Sequence, residues 1–158
     1  MKRLLLSLSI LGIWIPAQAQ LVVWEEPNDT TFIFSLAGPG VTVSNIERNC
    51  AEGASGFYNS LDANVGIDSG IALTSGSLIN AVGPNNLGSA SVANGYDGDD
   101  DLDALLPGYL TYDACYIEFD MTVAADTVRI DYVFGSEEYL EFVGTSFNDV
   151  FAFWVSGP

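Results

Sequence analysis

The feature that most constrains the fold of this 158-residue sequence is a strict alternation of apolar and other side chains in its second half. Every second residue is apolar from Cys115 to Val123, and again from Val128 to Phe134. A period of two places one set of side chains on one face of a β-strand, so both segments are predicted to be half-buried strands. The short segment 124–127 between them predicts a hairpin.

The rest of the chain also favours β-structure. Alternation predicts short strands over 31–36 and 41–44, and the continuous apolar run Val150–Val155 predicts a central strand buried on both faces. Residues 45–70 are rich in Asn, Gly and Ser and are predicted to be mostly loop, while Leu102–Leu106 is the one helical candidate. We therefore expect an all-β fold, an antiparallel β-sandwich of jelly-roll character with long acidic Gly/Asn/Asp-rich loops.

Residues 1–19 have the pattern of a secretory signal peptide. Lys2 and Arg3 form a basic start, Leu4–Ile15 is apolar, and Ala17-Gln18-Ala19 fits a small-residue cleavage site. The apolar run is short for a membrane span, although an uncleaved anchor is the alternative. The expected mature chain, 20–158, is one β domain that is secreted or displayed at the cell surface, with no membrane insertion of its own.

The carboxyl end predicts an incomplete domain. Ser156-Gly157-Pro158 is a turn signal that directly follows the most apolar predicted strand. A strand of that kind needs partners on both edges, because an unpaired one promotes aggregation. We therefore expect this sequence to be the amino-terminal part of a longer protein.

The charge balance excludes two classes of partner. The full sequence has a net charge of −17, and without Lys2 and Arg3 two arginines face 21 carboxylates, 2 − 21 = −19. Such a chain repels nucleic acid and anionic lipid and attracts cations. Abundant aromatic and β-branched residues argue against disorder.

Cys50 and Cys115 are the only two cysteines. In an exported protein a pair favours a disulfide, with two buried free thiols as the alternative. Closing a loop of that length contributes roughly 4 kcal/mol in the chain-entropy model.

The absence of histidine excludes most familiar active sites. The sequence has no Ser-His-Asp or Cys-His set, no usual zinc site, and no phosphate-binding or dinucleotide fingerprint. A glycoside hydrolase remains a minor alternative, because Glu137 or Glu138 with Asp149 supplies the two carboxylates that it needs.

A first acidic cluster suggests calcium. Asp97, Asp99, Asp101 and Asp103 recur at every second residue, the spacing by which calcium loops surround an ion with oxygen ligands. The cluster does not fit the EF-hand template. A solvated surface loop, or carboxylates capping a short helix, are the two alternatives.

A second cluster contains Glu137, Glu138, Glu141 and Asp149. Adjacent residues of an extended chain point in opposite directions, so only one of the two glutamates would join Asp149 at an ion. Asp149 opens an apolar strand, where a charge is costly unless it is paired or metal-bound. The alternative is that these carboxylates bind nothing.

Tyr96 and Tyr109 flank the first acidic cluster and are candidates for a ligand surface, including a sugar-stacking one. Tyrosines inside the predicted strands are better explained by cross-strand packing.

The chain resembles the choice-of-anchor L domain family of exported bacterial proteins, often of the Bacteroidetes type. The resemblance runs from about Ser35 to Pro158. It rests on ordered phrases at sensible spacings, among them 38–45, 66–76, Phe134-Gly-Ser-Glu-Glu-Tyr139 and Asn148-Asp-Val-Phe-Ala-Phe153. The family implies an amino-terminal module of a large surface protein, with no catalytic residues to carry over.

Taken with this resemblance, the residues predict a non-enzymatic module for adhesion or recognition, with calcium ordering its acidic loops. Its expected partner is an extracellular protein or glycan. A carbohydrate-binding module and a purely structural spacer are the remaining alternatives.

Overall fold

In a computed structural model, the described residues are 21–60, 63–84, 87–88, 90–136, 140–147 and 149–157. The signal-peptide prediction lies outside them. Within these residues the order of elements is β1 (Val22–Glu25), α1 (Asp29–Phe34), β2 (Val41–Asn49), β3 (Ser55–Asn59), β4 (Ser69–Leu73), a 3₁₀ helix (Leu78–Val82), α2 (Asp100–Leu105) and β5 (Tyr116–Val123).

The described strands form two antiparallel sheets, one in the order β1-β3-β4 and one pairing β2 with β5. The all-β class is confirmed, while the jelly-roll character stays a prediction. No helix in the described part of the chain is long and apolar enough to cross a membrane.

The pairing of β2 with β5 contains a bulge. The register shifts by one residue near Asn45, which adopts φ +51° and donates its side-chain amide to Asp120 Oδ2 at 2.6 Å. An extra residue on one strand changes which face the following side chains occupy. Val43 and Ile46 therefore both contact the core although they are three positions apart.

The other sheet depends on two close approaches. A Cβ on Gly56 would collide with the backbone carbonyl oxygen of Trp24 on β1, so β1 and β3 pack as they do only with glycine there. Tyr58 on β3 lies over its cross-strand partner Gly70, where a Cβ would meet the ring carbon Cε1 at 3.2 Å. An aromatic ring that covers a strand glycine supplies the packing that the glycine lacks.

The core lies where both sheets meet α1. Phe32 and Ile33 of α1 are fully buried, and Val43 of β2 is nearly so. Half-buried side chains from both sheets pack against them, namely Val41, Ile46, Phe57, Ile71, Ile117 and Phe119. Burying each large side chain contributes ~1.5–3 kcal/mol relative to exposure, so α1 is a main contributor to the core.

The predicted strand over 31–36 is wrong, because residues 31–34 belong to α1 and residues 35 and 36 form the turn that follows it. Asn28 caps the helix by accepting a hydrogen bond from the Thr31 N–H at 2.8 Å, and Asp29 lies in the first turn. The adjacent residues Phe32 and Ile33 are both buried, which one face of a strand does not allow. The signal that could have identified the helix was Asn28-Asp29 before the apolar run.

Other predicted elements have mixed outcomes. β5 has the alternating exposure that its sequence predicts, and α2 lies close to the predicted helical turn. The predicted loop over 45–70 is wrong in part, since it contains β3.

The segments 128–134 and 150–155 do not pair as strands in the structure, so the predicted hairpin and central strand are wrong there. Stacked rings, Tyr132 on Phe151 at 5.3 Å and Phe134 on Phe151 at 6.0 Å, hold them together instead of backbone hydrogen bonds. Phe153 is 55% exposed rather than buried on both faces.

The predicted disulfide between Cys50 and Cys115 is confirmed. Cys50 follows the last residue of β2 and Cys115 precedes the first residue of β5, so the bond continues the register of Asn49 with Tyr116. It links residues 65 positions apart in sequence. The disulfide therefore closes the β2–β5 pairing at one end and restricts the unfolded chain.

Candidate functional site

Residues 94–114, here called the acidic loop, are built around one aspartate outside the predicted cluster. Asp113 has φ +54°, and its carboxylate accepts hydrogen bonds from the backbone N–H of Asn94 at 3.1 Å and of Tyr96 at 2.6 Å. The Asp113 N–H in turn donates to the Tyr96 carbonyl at 3.1 Å. These bonds join the two ends of the loop and fix the backbone that carries Tyr96.

Two of the predicted metal ligands hold the loop together. Asp99 caps α2, its Oδ1 accepting from the N–H groups of Asp101 and Leu102 at 3.0 Å each. Asp103 Oδ1 accepts from both the N–H and the hydroxyl of Thr111, at 2.5 and 2.7 Å. Asp99 is therefore a helix cap, as one of the two alternatives predicted. Asp103 links α2 to Thr111, where the chain returns past the helix.

A close approach tightens the same region. A Cβ on Gly98 would collide with the carbonyl oxygen of Thr111, and the Asp99 N–H donates to the Thr111 hydroxyl at 2.9 Å. Glycine at position 98 lets the backbone there approach the backbone at Thr111 this closely. The acidic loop is thus ordered by short-range hydrogen bonds and packing.

The remaining aspartates of the cluster face solvent. Asp97 and Asp101 are exposed, and within the described residues their carboxylates accept no hydrogen bond. The same holds for Asp100, which the sequence-based ligand set did not include. In the described part of the chain, no group of three or more acidic or cysteine side chains is placed to hold a metal ion.

Of the second predicted cluster, the described residues include only Glu141, which is exposed, and Asp149. Asp149 is exposed, and its Oδ2 accepts a hydrogen bond from the Ser136 hydroxyl at 2.5 Å. Glu137 and Glu138 lie outside the described residues. A hydroxyl partner explains how a carboxylate is accommodated at the start of an apolar segment.

Both predicted ligand-surface tyrosines are exposed. Tyr96 is 45% exposed and Tyr109 is 57% exposed, and each belongs to the acidic loop. The Tyr109 N–H donates to the Leu106 carbonyl at 2.9 Å, so its backbone is anchored to the end of α2. The loop therefore presents two aromatic rings on a fixed backbone.

Sequence reasoning missed the importance of Arg48. Its guanidinium forms an ion pair with Asp29 at 2.6 Å, donates to the Glu26 carbonyl at 2.8 Å and lies 4.6 Å from the centroid of the Phe32 ring. The side chain is 11% exposed. Continuing the alternation of Val41 and Val43 would place position 48 on the opposite face, and the bulge near Asn45 turns Arg48 towards the core. The sequence pattern therefore carried no signal for this role.

Tyr58 of β3 has a shifted pKa. Burial raises the pKa of the Tyr58 hydroxyl above its usual value, and the negative charge of Asp68 adds to the effect. Both causes disfavour the phenolate. Tyr58 lies on β3, where its ring covers Gly70 of β4.

The family comparison decides the identity of the fold. The family model of the choice-of-anchor L domain matches residues 29–158. The chain belongs to this family. Choice-of-anchor L domains are not an enzyme family, and membership identifies the chain as a cell-surface module of an extracellular or surface protein. No curated protein and no solved structure matches the choice-of-anchor L chain.

Proposed function

We propose that this choice-of-anchor L domain is a non-enzymatic recognition module that binds an extracellular protein or glycan through its acidic loop. The observation that supports this best is the combination of exposed rings and fixed backbone at Tyr96 and Tyr109. An aromatic side chain on an ordered loop provides contact area at a low entropic cost on binding.

The charge of the chain restricts the partner. A net charge of −17 disfavours anionic ligands and favours neutral glycans or proteins with basic surfaces. Three exposed aspartates, Asp97, Asp100 and Asp101, accompany the two tyrosines in the loop and provide acceptors for hydroxyl or cationic groups.

The test measures binding of the chain to arrays of glycans and of extracellular proteins. Tyr96→Ala and Tyr109→Ala should each weaken a saturable interaction about tenfold, because a buried aromatic contact is a common hot spot of ~1–2 kcal/mol. Phe147→Ala is the matched control, since the Phe147 ring is 60% exposed but lies outside the loop. Equal losses of affinity in all three variants would argue against the acidic loop as the binding site. Saturable binding that none of the variants affects would do the same.

Binding restricted to glycans would identify the domain as a carbohydrate-binding module, the second candidate that the exposed tyrosines favour. Turnover of a polysaccharide that is lost in Asp149→Asn, with folding retained, would overturn the non-enzymatic assignment. A chain without any ligand and without a response to calcium would be a structural spacer.

Calcium binding is a separate part of this proposal. Asp97 and Asp101 have free carboxylates on either side of Asp99, and a bound cation would relieve their mutual repulsion. Binding requires the loop to move Asp97 and Asp101 towards one ion, with Asp103 as a further candidate ligand. A second ion at Asp149 with Glu137 or Glu138 is proposed on the sequence pattern alone.

A thermal melt tests this part. In millimolar calcium the midpoint should rise by several degrees over its value in EDTA, since saturation at 100 times the dissociation constant adds ~2.7 kcal/mol. Asp97→Asn with Asp101→Asn should abolish the rise, whereas Asp126→Asn, outside both clusters, should keep it. An equal rise with sodium chloride at the same ionic strength would indicate charge screening and refute a calcium site.

A further inference from the structure

The segments 128–134 and 150–155 expose many large apolar side chains. Both segments run without helix, turn or bend. Residues of both segments, together with Met121 of β5, line a common groove of about 630 Å³. The segment residues are Val128, Ile130 and Tyr132 from the first and Phe151, Ala152, Phe153 and Val155 from the second. Here the surface is called the aromatic groove.

The aromatic groove leaves backbone groups unpaired. Within the described residues, no backbone–backbone hydrogen bond joins 128–134 to 150–155 or either segment to a strand. Extended, apolar segments with free N–H and C=O groups are templates for the addition of a further strand. Apart from Ala152, the side chains that the two segments contribute to the groove repeat every second residue. Their spacing of roughly 6.6–6.8 Å equals that of one face of an incoming strand.

The lining and the charge of the chain disfavour two other occupants. Only the Tyr132 hydroxyl provides a polar side-chain group in the groove, so it lacks the several converging polar groups that orient a small molecule or a sugar. A second copy of the chain would bring another net charge of −17 against the first.

The charges beside the groove favour a basic partner. Asp126 precedes the first segment and Asp149 precedes the second, and both are exposed. Arg129 is already engaged, its guanidinium bonding Asp131 at 2.9 and 3.0 Å. The charges within the two segments cancel, so the exposed carboxylates of Asp126 and Asp149 leave a negative charge beside the groove, which complements lysine or arginine on an incoming chain.

We propose that the aromatic groove binds an extended segment of another protein, with apolar side chains at alternate positions facing the groove and basic side chains between them. This site shares no residue with the acidic loop, so it adds an assembly surface to the recognition function. The apolar side chains would enter the groove while the backbone of the partner pairs with the unpaired backbone of 128–134 or 150–155.

The test uses the chain and a fluorescent synthetic peptide that alternates valine with lysine and threonine. The comparison peptide has the same composition in a non-alternating order. We expect saturable binding of the alternating peptide, measured by fluorescence anisotropy, that is at least tenfold tighter than binding of the comparison peptide. Equal binding of the two peptides would reduce the interaction to charge attraction and overturn the proposal.

Variants locate the site. Phe153→Ser should weaken binding of the alternating peptide about tenfold, while Val133→Ser should change it less than twofold. Val133 is the matched control because it is similarly exposed, at 52% against 55%, and does not line the groove. Equal losses in both variants would contradict the proposal. If Phe153→Ser has no cooperative melting transition, Ile130→Ser on the other segment is measured in its place.

Analytical sedimentation tests whether a second copy of the chain occupies the groove instead. The wild-type chain should remain monomeric at the concentrations used. A dimer that Phe153→Ser dissociates would show that a second copy covers the groove and would overturn the proposal. Loss of array binding in Tyr109→Ala with peptide binding unchanged would leave the groove intact, so failure at one site is distinguishable from failure at the other.

Discussion

At the scale of single residues, Arg48 is the point at which an acidic chain uses one of its few cations. Its guanidinium joins α1 through Asp29 and the end of β1 through the Glu26 carbonyl, while its plane lies over the Phe32 ring. Arginine suits such a position because its planar, weakly hydrated group bonds and stacks at the same time. The contacts connect the first described strand to the core.

Arg48→Met should lower the free energy of unfolding by about 2 kcal/mol, because it removes charge-assisted hydrogen bonds from a mostly buried site while keeping the aliphatic stem. Urea unfolding measures the change. Arg129→Met is the control, since the Arg129 side chain is 83% exposed and its ion pair with Asp131 is solvated. Similar losses in both variants would show that Arg48 contributes only as a surface charge.

Tyr58 provides a prediction about alkaline pH. Its raised pKa means that the folded state keeps the hydroxyl protonated at a pH where the unfolded chain ionises. The stability from this group is therefore complete below about pH 10 and is lost as pH rises through the raised pKa.

Tyr58→Phe should consequently make the decline of unfolding free energy between about pH 9 and 11 shallower, as measured by urea unfolding across that range. Tyr112→Phe, at an exposed tyrosine, should leave the decline as in the wild type. If both substitutions change the decline of unfolding free energy equally, burial of Tyr58 is not its cause.

At the scale of elements, the β2–β5 pair and its disulfide form one unit. The bulge at Asn45 lets side chains on either side of it, Val43 and Ile46, contact the core. The disulfide links β2 and β5 next to the Asn49–Tyr116 pair. A cross-link between residues 65 positions apart removes many conformations of the unfolded chain.

Replacing Cys50 and Cys115 together with alanine should lower the free energy of unfolding by roughly 4 kcal/mol in the chain-entropy model. Urea unfolding of the wild type under reducing conditions should approach that of the double variant, and the reductant should not affect the double variant. A double variant as stable as the oxidised wild type would mean that the unfolded chain is restricted by other means.

The elements that sequence reasoning predicted share a simple property. β5 packs one face on the core, so its burial follows directly from alternation. α1 could not be separated from a strand by alternation alone, because Phe32 and Phe34 fit a period of two while the burial of Ile33 depends on tertiary packing. The segments 128–134 and 150–155 have strand composition, but composition does not supply a pairing partner.

The acidic loop shows a similar limit. The spacing of Asp97, Asp99, Asp101 and Asp103 predicted a common role, yet backbone geometry gave Asp99 and Asp103 structural partners and left the other two exposed. Asp113, which holds the loop ends together, lies ten residues beyond Asp103 and belongs to no pattern. Exposure of Tyr96 and Tyr109 was predictable because both flank a polar, turn-forming segment.

At the scale of the whole molecule, negative charge opposes folding. The chain carries 21 acidic and 4 basic residues, and compaction brings the carboxylates closer together. Raising sodium chloride from about 0.01 to about 1 M shortens the Debye length from ~30 to ~3 Å, so the thermal midpoint should rise. Scanning fluorimetry or circular dichroism measures the midpoint.

A charge-reduced variant provides the comparison for this prediction. Asp100→Asn with Asp101→Asn removes two exposed carboxylates from the most acidic segment, and the salt-dependent rise should become smaller. A midpoint that does not change with salt in either protein would show that counter-charges within the fold already offset the repulsion.

The position of the disulfide also determines how the domain would respond to a pulling force. Tension applied along the chain enters before Cys50, crosses the covalent bond and leaves after Cys115, so residues 51–114 carry none of it. At ~3.3–3.6 Å per residue, about 230 Å of chain cannot be extended while the bond is intact. β3, β4 and the whole acidic loop lie inside this shielded length, and a surface module under load would keep its exposed tyrosines in place while its outer segments stretch.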